Sequence, residues 1–234
     1  MRILAIDTTT EACSAALLVG DAMFARAEEP GRGHADRILK MVDEILAEAG
    51  MALGSLDAVA ACIGPGAFTG VRISVAVAQG LCFGAGLKVV PVSSLEALAY
   101  GRLRRGAERV LACLDARMHE VYWGCYYAEP VRGLNGSAGP ALSAPANVAL
   151  PAGADRAGGG YTGVGRGLSA YPQLLQITGL SCDAADLNAL PDARAIAELG
   201  ALRFAAGEAI DPCALTPLYL RDQVALTEAQ RGLH

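Results

Sequence analysis

The sequence predicts an α/β protein of two related lobes, and three observations carry that reading. A wholly apolar strand, Ala58 to Ile63, feeds through Gly64-Pro65-Gly66-Ala67-Phe68-Thr69-Gly70-Val71-Arg72 into a long apolar helix. Ahead of it, short strand-like runs give way to a helical period at His34. The Asp that ends Ile3-Leu4-Ala5-Ile6-Asp7 returns 108 residues later in Leu111-Ala112-Cys113-Leu114-Asp115, and each Asp is followed by turn residues and a new strand. That order favours duplication of a β-β-β-α-β-α unit, with halves at residues 1–107 and 108–234.

Element by element, Ile3 to Thr8, Cys13 to Val19 and Met23 to Ala27 read as strands separated by polar or glycine punctuation. From His34 to Ala49, Ile38, Met41, Val42, Ile45 and Ala49 recur at helical spacing, and Gly50 closes the segment. At the junction, Gly64 and Gly66 open backbone angles closed to other residues, Pro65 fixes its own, and Thr69 is expected to cap a helix starting at Gly70. That helix runs through Ile73, Val75, Val77, Leu81 and Phe83 with almost no polar face, so it must be buried in its own lobe or in a partner. It carries two small-residue rows, Gly70-Ser74-Ala78 and Ala76-Gly80-Gly84, that let a second helix approach closely. The strand Val89 to Val92 and a helix from Ser93 or Ser94 complete the unit. In the second half, a strand from Val121 follows Asp115, and residues 129–167 turn rich in Gly, Ala and Pro, including Gly158-Gly159-Gly160 and Gly163-Val164-Gly165, which reads either as an ordered run of short strands and turns or as a partly mobile segment. Asp192 to Ala206 reads as helix, and Pro217 extends the stretch Leu215 to Arg221.

A net charge of −5 argues against this chain alone gripping a phosphate backbone, and the cluster Arg102, Arg104, Arg105 and Arg109 reads as a solvated loop. Seven scattered cysteines without a C-x-x-C pair read as reduced core thiols. With no secretory signal, and with the apolar run Ile73 to Leu87 short and broken by glycines, no membrane span and a cytoplasmic location are expected. The glycines at 64–70 do not fit a dinucleotide fingerprint. The third glycine would fall at Thr69, Pro65 has no amide hydrogen, and the next strand ends without an acidic ribose partner.

A duplicated unit with Asp at the first strand end is the plan of the actin-like ATPase and sugar-kinase folds. Together, Ile6-Asp7-Thr8-Thr9-Thr10, Gly64 to Arg72, Val92-Ser93-Ser94-Leu95-Glu96-Ala97-Leu98, Asp115-Ala116-Arg117 with Glu120-Val121-Tyr122, and Pro217-Leu218-Tyr219-Leu220-Arg221 resemble the bacterial TsaB family. The resemblance spans nearly the whole chain and is strongest up to Tyr127. It implies a part in forming threonylcarbamoyladenosine, the modified base beside the anticodon of tRNAs that read codons starting with adenine. The chain would be the non-catalytic partner of a paralogous transferase, TsaD, with an ATPase, TsaE, joining the assembly and tRNA reached only through the complex.

The residues offer their own checks. Where the transferase holds a metal with an H-x-x-x-H pair, this chain has Ser94 and Leu98, and its three histidines, His34, His119 and His234, cannot build a histidine-rich site; no metal is expected. His34 reads as surface or cap chemistry. Asp7, Thr8, Thr9 and Thr10 offer a phosphate hairpin, with ordinary turn chemistry as the alternative. The second hairpin, Asp115, Ala116, Arg117 and Met118, lacks hydroxyls and small residues, so turnover is not expected and ATP or ADP would sit only at the joint with the transferase. Two enzymatic alternatives are a metal- or serine-dependent peptidase and a small-molecule kinase; no H-E-x-x-H or G-x-S-x-G occurs, and the second hairpin counts against the kinase.

The helices from His34 and Thr69 are the expected partner surface, through Ile38, Met41, Ile45, Gly70, Ser74, Val77, Ala78 and Leu81. Alone, that face would pair two copies of the chain. A charge at Ala78 would then break both assemblies and spare the fold.

Overall fold

The computed structural model describes residues 1–31, 33–151, 160–180 and 182–221. Strands β1 (Arg2–Asp7), β2 (Cys13–Val19), β3 (Ala22–Glu28), β4 (Ala58–Cys62) and β5 (Lys88–Val92) form one sheet in the order β3-β2-β1-β4-β5. Strands β6 (Arg109–Arg117), β7 (Glu120–Glu129), β8 (Gly133–Ser143) and β9 (Tyr161–Val164) form a second, β8-β7-β6-β9. Within each, the first strand pairs antiparallel with the next and parallel with the strand on its other side. The two sheets therefore repeat one plan, the actin-like and sugar-kinase arrangement, and among the described residues the second has four strands to the first's five.

The first sheet is joined by helices α1 (His34–Glu48), α2 (Phe68–Ala85) and α3 (Ser94–Leu103); α4 (Arg166–Ala170), α5 (Gln173–Thr178), α6 (Ala184–Leu187) and α7 (Ala193–Ala205) follow β9. Strand periodicity sorts the apolar side chains into three cores. Leu4, Ile6, Val59 and Ala61 face α1 and α2. Ile3, Ala5, Ala60, Val110, Ala112 and Leu114 face a central core that includes Leu95 and Leu98 of α3 and Ile196 and Leu199 of α7. Leu111, Cys113, Val121 and Trp123 face outward to Leu168 and Leu174. The layers run α-β-α-β-α.

The central helices exchange lobes. Helix α3 packs on β6 and β7, and α7 packs on β1 and β2. The Glu96 carboxylate ties them, accepting from Arg203 Nη2 at 2.7 Å and from the Ser93 amide at 2.9 Å as part of the α3 capping box. The chain also returns to the first lobe at its far end, where Leu215 enters the outer core and Leu218 N–H donates to the Ile63 carbonyl. Division at residue 107 separates the sheets in sequence, while packing crosses it.

Several local expectations need correction. Helix α2 starts at Phe68, and its N-cap is Ala67 without a side-chain cap, so Thr69 does not cap it. His34 is the first residue of α1 behind a left-handed Gly33, with no side-chain cap. Residues 133–143 form a single long strand rather than short pieces. The arginine cluster is no solvated loop: Arg102 and Arg105 both bind the buried Asp186 carboxylate, and Arg104 pairs with Glu198. Gly158, Gly159 and His234 lie outside the described residues. Of the cysteines, Cys13, Cys62, Cys82, Cys113 and Cys125 are buried, Cys182 is half-buried and Cys213 exposed, all free.

The expected partner residues also turn out differently. Ile38, Met41, Ile45, Gly70, Ser74 and Ala78 are buried against the first lobe's own sheet, and Val77 and Leu81 are half-exposed. Ala78 being fully buried, a charge there would disrupt the fold itself. The row Gly70-Ser74-Ala78 lets α2 approach its own sheet, and the second row, Ala76-Gly80-Gly84, faces outward. By length and composition alone α2 could cross a membrane. Its buried stripe on the sheet, with Arg72 and Gln79 outside it, is that of a core helix.

Candidate functional site

A cleft of about 760 Å³ opens between the lobes. Its walls are the β1–β2 turn, the 66–72 junction, the β6–β7 hairpin, the start of α4 and the returning segment Leu218 to Arg221.

On the first lobe the junction lies down on the β1–β2 turn. Ala67 N–H donates to the Thr9 carbonyl at 2.7 Å, and Thr8 Oγ1 donates to the Gly70 carbonyl at 2.7 Å. A Cβ at Gly66 would run into the Thr9 carbonyl and one at Gly70 into that of Thr8, which is why both positions are glycine. Beneath the turn, Asp7 is fully buried; Oδ1 accepts the Thr9 amide at 2.8 Å and Oδ2 has no hydrogen-bond partner among the described residues. Burial pushes the Asp7 carboxyl above the usual carboxylate range.

The expected phosphate hairpin is thus divided. Thr9 and Thr10 border the cleft, but Thr9 is as fully buried as Asp7 and Thr8, so of the four only Thr10 is partly exposed to it. The Thr9 hydroxyl sits 3.5 Å from Cys62 Sγ, and the Thr10 hydroxyl accepts the Ala12 amide at 3.3 Å. This is turn chemistry, with carbonyl oxygens of the turn turned toward the junction.

On the second lobe the β6–β7 hairpin faces the cleft with three consecutive non-glycine residues in the left-handed region, Arg117 (φ 61°), Met118 (φ 54°) and His119 (φ 60°). Such a turn persists only when its surroundings over-determine it. Asp115 accepts the Arg117 amide and guanidinium at 2.8 and 2.9 Å, and Arg117 also reaches Glu11 of the first lobe at 2.9 Å. Arg221 pairs with Glu120 at 2.7 Å and donates to the Ala116 carbonyl at 3.0 Å. A further cross-lobe pair joins Arg166 to Glu29 at 2.7 Å, and that guanidinium holds the Glu29 carboxyl below its ordinary range.

Metal and nucleophile chemistry have little to work with. Ser94, fully buried, donates its hydroxyl to the Pro65 carbonyl, and Leu98 is part of the central core. The Ser93 hydroxyl accepts the Leu95 amide as a helix cap. Among the described residues no three His, Cys, Asp or Glu side chains converge as a metal site. Burial raises the buried and half-buried thiols, Cys82 and Cys182 to about 11, away from reactive thiolate, and the Asp211 carboxylate raises the exposed Cys213.

Sequence reasoning missed one cluster. The Arg72 guanidinium stacks 3.2 Å over the Phe68 ring centroid and 5.3 Å from that of Tyr219, with the two rings 6.3 Å apart. Phe68 and Arg72 are one helical turn apart, a visible signal; Tyr219 joins them only through the returning chain end.

A family model described as TsaD, tRNA N6-adenosine threonylcarbamoyltransferase, matches residues 27–228. The tRNA threonylcarbamoyladenosine biosynthesis protein TsaB of Escherichia coli is 41% identical over 96% of both chains. Its Haemophilus influenzae namesake is 38% identical over 96% of this chain and 95% of its own. Among solved structures, YeaZ from Pseudomonas aeruginosa aligns with a TM-score of 0.82 at 39% identity, covering 93% of this chain and all of that one. A second Pseudomonas aeruginosa structure, described as a protein similar to the peptidase YeaZ, aligns at 0.84 and 41%, covering 94% of this chain and 99% of its own. Sharing its fold and about four residues in ten with these relatives across nearly the full length, the chain belongs to the TsaB family.

Proposed function

We propose that this chain acts in forming threonylcarbamoyladenosine in tRNA as a non-catalytic partner that holds a TsaD-type transferase in its working form, with a TsaE-type ATPase joining them. The names of its relatives supply the pathway. The observation that carries the partner role is the outer face of α2. Gly80 and Gly84 lie inside the helix, exposed, with nothing within 4 Å of where a Cβ would stand. Each glycine costs the helix about 1 kcal/mol relative to alanine and gains no contact within the chain. Phe83, 58% exposed, and Leu39 of α1, 46% exposed, are apolar side chains left in water. A close-packed helix from another chain would repay both costs.

The interior of the site agrees with a non-catalytic role. The hydroxyl of Thr8 and the carbonyls of Thr8 and Thr9 are occupied by the chain's own junction, so nucleotide belongs at the joint with the transferase, not in this hairpin. A peptidase reading has no support in Ser93 or Ser94, both engaged with backbone.

In a reconstitution with transferase, ATPase and tRNA, omission of this chain should abolish the modified nucleoside, and the chain alone should form none. Gly84→Glu should leave the melting temperature within about 2 °C and weaken binding to the transferase at least 10-fold; it should also dissolve any homodimer formed by the isolated chain. Modification that proceeds undiminished without the chain, or a Gly84→Glu variant that binds as tightly as the parent, would refute the proposal.

A further inference from the structure

The cleft has an electrostatic asymmetry that neither its hairpins nor the outer face of α2 explains. Four arginines line it. Arg117 is neutralised by Asp115 and Glu11, Arg166 by Glu29 and Arg221 by Glu120. Arg72 has no carboxylate within ion-pair distance among the described residues and is backed instead by the Phe68 and Tyr219 rings. A guanidinium stacked on aromatic rings loses little further freedom on binding, and its N–H edges remain in plane to donate as a fork. Around it, Phe68, Met118 and Tyr219 account for three of the nine large apolar side chains exposed among the described residues. Val71, Leu114 and Leu218 add apolar wall. The left-handed hairpin is what brings Met118 to this cleft, and Arg221 holds it there by an N–H contact to the Met118 sulfur at 3.2 Å.

We infer that the cleft is a binding site for a small organic molecule with a planar apolar body and a single anionic group, the anion taken by Arg72 and the body stacked on Tyr219 and Phe68 against Met118. The volume lies within the range of about 300–1,000 Å³ typical of small-molecule sites. A polyphosphate does not fit this chemistry. Among the described residues only one of the cleft's arginines is without a carboxylate partner, and the turn beside it presents carbonyls that the junction already fills. Because the walls belong to both lobes, such a ligand would also fix their relative position. The inference stands apart from the partner surface, which lies on the outward face of α2.

Titration of the full-length chain with 2-naphthoate tests it, alongside 2-naphthylmethanol as the uncharged analogue and ATP as the polyanion. One 2-naphthoate should bind per chain. Affinity should fall at least 10-fold for 2-naphthylmethanol, for Arg72→Gln and for Tyr219→Ala, and stay unchanged for Phe83→Ala on the outer face. Circular dichroism and melting temperature confirm that each variant folds; both cleft substitutions fall on exposed side chains outside the three cores. Absence of saturable binding, undiminished binding by Arg72→Gln, loss on Phe83→Ala, or ATP binding more tightly than 2-naphthoate would each overturn the assignment.

Discussion

The two lobes run the same strand plan but close their first strand differently, and the cleft exists because of that difference. In the first lobe the junction after β4 reaches past the strand end, so Gly66 and Gly70 sit against the carbonyls of Thr9 and Thr8, beyond Asp7. In the second lobe the junction after β9 stops short. A Cβ at Gly165 would run into the carbonyl of Cys113, two residues before Asp115. Asp7 is consequently sealed, while the Asp115 side chain keeps 19% of its exposure and its hairpin faces the cleft. The helices that follow diverge as well, 18 residues in α2 against five in α4. Contact between a glycine and a strand carbonyl is thus the shared part of the design. How far the loop travels, and how much helix follows, is where one lobe has a long helix with an exposed small-residue face and the other an open wall on the cleft.

The largest expected effect comes from breaking the closure of the first lobe. Gly70→Ala drives a methyl into the Thr8 carbonyl and should cost about 3 kcal/mol in denaturant unfolding, because backbone on both sides must shift. If the two junctions are equivalent in kind, Gly165→Ala should be of similar severity, with its positive φ of 112° adding to the loss. A silent Gly165→Ala would show that the second junction is merely tolerated. Next in size is the clamp of the second lobe. Asp186 is 1% exposed and accepts from Arg102 at 2.9 Å and from Arg105, so Asp186→Ala should cost about 2 kcal/mol by leaving Arg102 partly buried without its anion.

What could be read from the sequence follows the same divide. In the first lobe, an apolar run between polar and glycine punctuation set Cys13–Val19, a strand buried on both faces, and helical spacing set the start of α1 at His34, a helix with one buried face and therefore one readable period. In the second, β8 was hidden by composition. Gly133, Gly136, Gly139 and Pro140 look like turns, yet an edge strand with register shifts against β7 tolerates them. The start of α2 was misjudged because docking on Thr9, not a side-chain cap, decides it. The partner residues went astray for a related reason. Two small-residue rows on one helix are equivalent in sequence, and only the Thr8 carbonyl under Gly70 shows which row turns inward. Around the cleft, the β1–β2 turn that carries Thr9 and Thr10 was legible as a turn; the Arg72 cluster was not, because Tyr219 arrives from a chain end whose return path no local pattern encodes.

Asp7 sharpens the contrast in another way. Its carboxyl is raised by burial, so the folded state holds a proton that the unfolded chain releases near the ordinary carboxylate value. That contribution is fully present below about pH 4 and is lost as pH climbs through the raised folded value. Asp7→Asn removes the titration and should flatten the fall in melting temperature on the alkaline side of that window, gaining most relative to the parent at the highest pH. An unchanged pH profile would mean the Asp7 charge is better solvated than its burial implies.

The smallest expected effect is the most discriminating. Gly80 and Gly70 occupy one helix, yet the first meets nothing within 4 Å and the second meets a carbonyl. Gly80→Ala should therefore stabilise the isolated chain by about 0.5–1 kcal/mol, the ordinary return on replacing an exposed helical glycine. If the outer row is a contact surface, the same methyl that helps the free chain must intrude where another helix lies. Stability measured alone and affinity for the transferase would then move in opposite directions. If both rise, or affinity stays the same, the glycines on that face serve no close approach, and the difference between the two small-residue rows of α2 would be one of burial alone.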